Sequence, residues 1–286
     1  LSTSSLVIQY TSQRTRSAGY GTNAAAFASA SITSIPVGGV IVNKFGYQAG
    51  IVVSIVFAFA FLLFCISCLP NEKAAAKTEE TAKSSNISIS DFIKVFASRH
   101  VLTYIFFINI PFQIIYWGLF QFLLPIYMSD TLQLSQGNIG RILGIFSIVS
   151  LFAAYVSSLA DKAKNDKLLI GIGAILAGAA MFIFGQFAGG LALFLVIMIP
   201  MGADNLFIDS IEEVYLEAGH IKNVSEENIL QIYKVIEKVL SVFIPSITTI
   251  IIVKSGFNMS MQIIGAYSVI GAVLFIIFGK NGRWSE

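Results

Sequence analysis

The sequence predicts an all-α membrane protein, a polytopic helical bundle. Of its 286 residues, 56% are hydrophobic and only 12% are charged, whereas about 25% of the residues of a typical soluble domain are charged. The mean hydropathy is +0.79. Apolar stretches of about 20 residues recur along the chain, and each is long enough to cross a hydrocarbon core roughly 30 Å thick. These observations exclude a water-soluble globular domain.

The apolar stretches predict eight membrane spans. They are residues 21–43, 50–69, 101–126, 139–160, 168–186, 190–212, 232–253 and 259–279. When the spans alternate in direction, only Lys44, Arg141 and Lys254 of the 18 basic residues fall on one side of the membrane. Because excess positive charge stays in the cytoplasm, the other side, which holds the C-terminus, is predicted to be cytosolic.

The first two spans resemble the last two. Residues 34–64 begin with Ser-Ile-Pro, pass through an apolar run to Lys-Phe-Gly-Tyr at 44–47, and end in a second apolar run. Residues 243–278 begin with Phe-Ile-Pro and follow the same order, with Lys-Ser-Gly-Phe at 254–257. The two pairs of spans are about 210 residues apart. Repeated halves at this spacing are typical of a secondary transporter built by duplication. The four spans between the pairs have no upstream counterparts, so we expect about four spans to be missing at the N-terminus.

A charged segment follows the fourth predicted span. Residues 157–167 read Ser-Ser-Leu-Ala-Asp-Lys-Ala-Lys-Asn-Asp-Lys. This segment is similar to the cytoplasmic signature Gly-x-x-x-Asp-Arg-x-Gly-Arg-Arg of the major facilitator superfamily: Asp161 and Lys162 match, while Ser157 and Lys164 stand where the family has glycine. The resemblance implies that Asp161 and Lys162 belong to a cytoplasmic gate. The alternative is a solvated charged turn.

A long loop with several basic residues, 71–100, separates the second and third predicted spans. Together with this loop and the repeat, the charged segment makes the chain resemble that family over nearly its whole length. The resemblance implies that the eight spans are helices five to twelve of a twelve-helix transporter. Residues 1–70 would then end the N-terminal transmembrane half, 71–100 would be the cytoplasmic central linker, and 101–286 would be the complete six-helix C-terminal half. Within the linker, residues 89–96 alternate apolar and polar side chains at helical spacing. This pattern is typical of a helix on the membrane surface, and the alternative is a solvated linker.

Small residues in the first span predict close helix packing. Pro36, Gly38 and Gly39 are similar to the glycine-rich antiporter motif of the family's fifth helix, but Ser34 stands where glycine is usual. We interpret these residues as a packing surface for a neighbouring helix, and not as evidence for antiport.

Polar side chains in the third span predict a solute-binding surface. Asn109, Gln113 and Tyr116 are spaced i, i+4 and i+7, which places them on one face of an α-helix. Trp117 and Gln121 extend the neighbouring stripe. In the resembled family this helix lines the central cavity, so we expect these five side chains to face a solute. The alternative is hydrogen bonding between helices without a ligand.

Two acidic residues are candidates for coupling and gating. Asp204 lies inside the sixth predicted span, where desolvation would raise the pKa of its carboxyl and let it take up and release a proton. The alternative for Asp204 is a structural role, paired with a lysine or capping a broken helix. Glu237 lies between Lys234 and Lys238 near the start of the seventh span, and we expect a cytosolic gate ion pair there.

The sequence therefore predicts a secondary transporter of a small solute that works by alternating access in the bacterial cytoplasmic membrane. The expected partners are the lipid bilayer, the solute and, if a gradient drives transport, protons. No nucleic acid, cofactor or metal is expected. The absence of a P-loop argues against direct coupling to ATP, and the absence of a constellation of catalytic groups such as a Ser/His/Asp set argues against an enzyme. The alternative is a transporter-like sensor without net transport, which would use a loop at Tyr215–Ile232 as a relay.

Overall fold

The computed structural model describes residues 11, 16–68, 88–150, 165–187, 207–208, 211–216, 219 and 221–279. Seven helices lie within them: α1 Arg16–Cys68, α2 Ile89–Ala97, α3 Arg99–Asp130, α4 Gln136–Ser150, α5 Asp166–Phe187, α6 Glu226–Ser255 and α7 Phe257–Phe278. A further helical stretch, residues 211–216, is named segment 211–216 below. Among the described residues, five stretches are long and apolar enough to cross a membrane. The predicted all-α polytopic membrane fold is confirmed.

The first two predicted spans are the two arms of α1. At Gly46 the backbone leaves the helical region, with φ 80° and ψ 171°. Thr33 and Ala58 would lie roughly 37 Å apart in a straight helix, yet both line the same pocket of about 930 Å³. The arms therefore fold back on one another at Gly46 and run antiparallel.

The turn between α6 and α7 has the same conformation. Gly256 joins these helices with φ 76° and ψ 162°. A Cβ atom added at Gly46 or Gly256 would meet no other atom within 4 Å. Glycine is therefore required at these two positions by the backbone conformation and not by a lack of space. This region of φ/ψ is essentially restricted to glycine. The internal repeat predicted from the sequence is therefore present at the level of the turn.

Backbone atoms meet closely where the helices pack. A Cβ at Gly178 of α5 would lie 2.8 Å from the carbonyl oxygen of Gly265 in α7. A Cβ at Gly39 of α1 would lie 2.7 Å from the carbonyl oxygen of Gln136 at the start of α4. The predicted packing role of the Pro36–Gly39 stretch is therefore confirmed, because small residues allow this approach where lipid supplies no hydrophobic driving force between helices.

Two clusters of buried apolar side chains form the core. One packs around Tyr104, Tyr215 and Tyr233 and includes Phe112. The other contains the second half of α3 and begins at Ile114. Gln113 lies between these two residues in the chain, so a polar side chain separates the two clusters on α3.

Two expectations for the connecting segments have different outcomes. The helix predicted within the linker is present as Ile89–Ala97, and Ser88 and Asp91 form a capping box at its start. The predicted extended loop at Tyr215–Ile232 is present but shorter, since residues 219 and 221–225 are the described residues within it that are not helical. Tyr215 is already helical and α6 begins at Glu226, because the Ser225 hydroxyl accepts a hydrogen bond from the backbone N–H of Asn228 and caps the helix.

We expect Gly46→Ala and Gly256→Ala each to destabilise the protein by about 1–3 kcal/mol, because alanine is strained at this φ/ψ. The measurement is the midpoint of thermal unfolding in detergent. Gly38→Ala is the matched control: its added Cβ also meets nothing within 4 Å, but Gly38 is helical, so alanine should be neutral or slightly stabilising. Equal midpoints for all three variants would contradict the role assigned to the turns.

Candidate functional site

Helix α3 is wound as a π-helix over two stretches, Ile105–Asn109 and Ile114–Leu123. The Ile110 N–H donates to the carbonyl of Ile105, five residues back. Pro111 has no N–H, so the Phe106 carbonyl lacks its usual donors within the helix. The Tyr267 hydroxyl of α7 donates to that carbonyl at 2.8 Å. Short π-helical stretches inside α-helices are frequent at functional sites. The polar residues on this part of α3 are therefore candidate site residues.

The structure separates the five polar residues predicted to bind solute. Asn109 and Gln113 are buried, Tyr116 and Trp117 are half-buried, and Gln121 is exposed. The Gln121 Nε2 donates to the Tyr116 hydroxyl at 3.4 Å. The reason is that α3 is a π-helix beyond Gln113, where each backbone hydrogen bond spans five residues instead of four. Side chains spaced for 3.6 residues per turn therefore no longer lie on one face.

Gln113 is the most unusual of these side chains. It lies near the midpoint of the 32-residue α3, and its exposed fraction is 0%. Neither amide atom has a hydrogen-bond partner among the described residues, and the same holds for Asn109 Oδ1. Leaving buried amide groups unpaired costs about 1–3 kcal/mol each. One donor group and two acceptors are therefore available to a polar molecule at mid-membrane depth.

Asn109 connects this position to a buried network around Glu212. Its Nδ2 donates to the Tyr233 hydroxyl at 2.6 Å. The hydroxyls of Tyr104 and Tyr233 donate to Glu212 Oε2 at 2.9 Å and 3.0 Å, and Lys234 Nζ donates to Oε1 at 2.7 Å. We call these five residues the Glu212 network. It joins α3, segment 211–216 and α6 through charge-assisted hydrogen bonds.

Further charges surround Lys234. Its Nζ also lies 3.3 Å from Glu213 and 3.2 Å from Glu237, and Lys238 Nζ lies 3.9 Å from Glu237. The predicted ion pairs of Glu237 with both lysines are therefore present. Lys238 also stacks over the Trp117 ring, 5.5 Å from its centroid, which links α6 to α3. Three carboxylates share two lysines here, so any change in their spacing alters the electrostatic balance between the helices.

Aromatic rings pack beside the network. His100 Nε2 lies 2.8 Å from the Tyr215 carbonyl oxygen, and the two rings stack with centroids 4.3 Å apart. Tyr104 and Phe275 also contact the Tyr215 ring. Burial, and secondarily the negative charge of Asp166, raise the pKa of Tyr215, so its phenol stays neutral. The start of α3 is thus fixed to segment 211–216 by a ring stack and a hydrogen bond.

The remaining residues predicted to act in gating and coupling, Asp161, Lys162 and Asp204, lie outside the described residues. Tyr104, Glu212 and Tyr233 were not among the residues predicted from the sequence, and Lys234 was predicted only as a partner of Glu237. One sequence pattern could have predicted the contact between Glu212 and Lys234. The Glu212-Glu213 pair ends one apolar span and Lys234 lies near the start of the next, and opposite charges at the same membrane depth can pair.

Comparison with known proteins identifies the family. The sequence model of the Major Facilitator Superfamily matches residues 2–208, more than half of the chain. The chain belongs to the major facilitator superfamily. No curated protein matches it. Proteins of this superfamily are secondary transporters with many membrane spans and internal repeats, so this major facilitator protein is a multi-pass membrane protein from a family of transporters and not of enzymes.

We expect Glu212→Gln to destabilise this major facilitator protein. Two tyrosines and Lys234 would lose an ionised acceptor, and hydrogen bonds to charged groups contribute about 1.5–3 kcal/mol each. One kcal/mol corresponds to about 2–4 °C for a chain of roughly this size, so the thermal midpoint should fall by about 5 °C or more.

Glu237→Gln is the matched control for this prediction. It removes a carboxylate from the same lysine but leaves the Glu212 hydrogen bonds with Tyr104 and Tyr233 in place. The midpoint should therefore fall by less than half as much as in Glu212→Gln. An equal or larger fall would show that ion pairing to Lys234, and not the Glu212 hydrogen bonds, dominates.

Proposed function

We propose that this protein is a secondary active transporter that moves a small solute by alternating access. The observation that carries the proposal is Gln113, fully buried near the midpoint of α3 with both amide atoms unpaired among the described residues. Substrate sites of secondary transporters lie near the bilayer midplane. A buried polar group inside a span is retained, against its cost, where it meets a ligand or a water-filled path.

The chemistry of the proposed site favours a polar, hydrogen-bonding solute. Gln113 offers a donor and an acceptor, and Asn109 Oδ1 offers a second acceptor one turn away. Tyr116 and Trp117 supply aromatic surface on the next turn, where their rings contact edge to face with centroids 5.2 Å apart. Gln121, which is exposed, belongs to the part of the path farther from the Glu212 network.

The Glu212 network is the proposed cytosolic closure. Asn109 Nδ2 donates to the Tyr233 hydroxyl, which in turn donates to Glu212, so a solute that also accepts a hydrogen bond from Asn109 Nδ2 would compete directly with the contact between α3 and α6. Loss of that contact would weaken the link to Lys234 and Glu237 and favour opening on this side. By their place in the sequence, Asp161 and Lys162 are proposed to belong to the same cytosolic gate.

The orientation is part of the proposal. The strong bias of basic residues to one side supports a cytosolic location for the C-terminus and for the start of α3. We place the protein in the cytoplasmic membrane of a bacterium, with protons as the proposed coupling ion.

Gln113→Met tests the binding site. Methionine matches glutamine in length but needs no hydrogen bonds, so removing an unpaired buried amide should raise the thermal midpoint by about 2–8 °C. In proteoliposomes the same variant should raise the KM for solute at least tenfold, since a lost ligand hydrogen bond leaves a buried polar group unpaired. Gln48→Met is the control, because Gln48 is exposed on α1, and it should change neither quantity. A higher midpoint with unchanged KM would contradict the proposed binding role.

Asp204→Asn tests proton coupling. If Asp204 carries the coupling proton, the variant should lose accumulation of solute against its gradient but keep exchange of solute across the membrane, because exchange needs no net proton movement. The measurement is uptake and counterflow of radiolabelled solute in proteoliposomes with an imposed pH gradient. Accumulation equal to that of the parent protein would assign Asp204 a structural role.

A further inference from the structure

A basic pocket lies at the junction of α2, α3 and the segment before α6. Its volume is about 520 Å³, within the roughly 300–1,000 Å³ typical of small-molecule sites. Lys94 of α2, Arg99 of α3 and Lys222 line it, together with His100, Ser98 and Asn223. Three basic residues from separate segments therefore line one space, and no carboxylate is among its lining residues in the described part of the chain.

Two of these cations, Arg99 and Lys222, have no carboxylate partner among the residues that the structure describes. Lys94 pairs with Asp91 at 3.4 Å. Arg99 and Lys222 are exposed and make no ion pair among the described residues. Positive charges that lie close together repel one another, and an anion bound between the side chains would relieve that repulsion.

An apolar stripe runs along α2 beside the pocket. Ile89, Phe92, Ile93 and Phe96 are spaced i, i+3, i+4 and i+7 and are between 39% and 82% exposed. Val95 is fully buried and holds the helix against the core. Amphipathic helices of this kind lie in the membrane interface with the apolar face at the boundary between headgroups and acyl chains. The pocket would then lie at headgroup height.

We propose that this pocket binds the phosphate of an anionic phospholipid, such as phosphatidylglycerol, in the cytosolic leaflet. Soluble phosphate carries the same charge, but only a lipid also uses the apolar stripe on α2. Basic pockets on the cytosolic side of membrane proteins bind anionic headgroups in this way. Only the choice of leaflet rests on the proposed orientation, and binding is independent of the proposed transport activity.

Ring contacts link the pocket to the Glu212 network. His100 lines the pocket and stacks on Tyr215, whose ring contacts Tyr104. A bound headgroup would hold α2, the start of α3 and the segment around Lys222 together. Lipid binding would therefore stabilise the arrangement in which the start of α3 is fixed to segment 211–216.

The test compares lipid retention by the purified 286-residue chain in native mass spectrometry. The parent protein should retain phosphatidylglycerol in clear preference to phosphatidylcholine. Each Lys or Arg near an anionic surface contributes about 1 kcal/mol, so Arg99→Gln/Lys222→Gln should lower the affinity for phosphatidylglycerol roughly 30-fold. Affinity for phosphatidylcholine should not change.

Two further variants separate a specific site from general electrostatics. Lys44→Gln/Lys254→Gln removes the same charge from exposed lysines elsewhere and should change affinity by less than about threefold, because distant exposed charges are screened. Arg99→Lys/Lys222→Arg keeps the charge and should keep the preference for phosphatidylglycerol, which shows that loss in the glutamine variant is not misfolding.

Three outcomes would overturn the proposal. Equal retention of both lipids by the parent protein would exclude an anion site. An equal loss in the Lys44/Lys254 variant would assign the preference to net charge. Displacement of the lipid by inorganic phosphate, at a concentration where chloride of the same ionic strength does not displace it, would assign the pocket to a soluble phosphate.

Discussion

The buried carboxylate of Glu212 is the interaction on which the arrangement of helices depends. An ionised carboxylate with an exposed fraction of 4% is stable only if donors replace its hydration. Tyr104, Tyr233 and Lys234 supply them from two helices that are far apart in the chain. The requirement to satisfy one charge therefore fixes the mutual positions of α3, segment 211–216 and α6, and removing one donor would leave the others around an under-solvated charge.

The same requirement shapes the proposed solute site. Tyr233 uses its hydroxyl hydrogen for Glu212 and accepts from Asn109, so the Asn109 amide is oriented by the network and its Oδ1 is left without a partner among the described residues. The π-winding of α3 then places Gln113 between the two core clusters. Pro111 frees a carbonyl within this winding, and Tyr267 of α7 satisfies it. The proposed binding residues Asn109 and Gln113 and the backbone irregularity therefore lie on the same stretch of α3, and Asn109 joins that stretch to the Glu212 network.

The two glycine turns have the same backbone conformation. Gly46 and Gly256 share a conformation that few other residues adopt, although the helices that they join differ in almost every side chain. The second pair has its own contacts, with α7 packed on α5 through Gly265 and Gly178. Conserved backbone geometry at a turn with divergent packing around it fits two halves of one ancestral fold in a major facilitator protein.

The sequence by itself determined the membrane class, the five apolar stretches that the structure describes and the two turns, because apolar length and a glycine at positive φ are local properties. Local spacing also identified Asn109, Gln113 and the ion pairs of Glu237. It did not indicate that Gln121 is exposed, since an α-helical period does not describe a π-wound helix, and it made the loop at Tyr215–Ile232 longer than it is, since both of its ends are helical. Only the tertiary structure decided that Glu212 binds Tyr104, Tyr233 and Lys234. Partners 108 and 21 residues away in the chain leave no local pattern, because only packing of the helices brings them within hydrogen-bond distance.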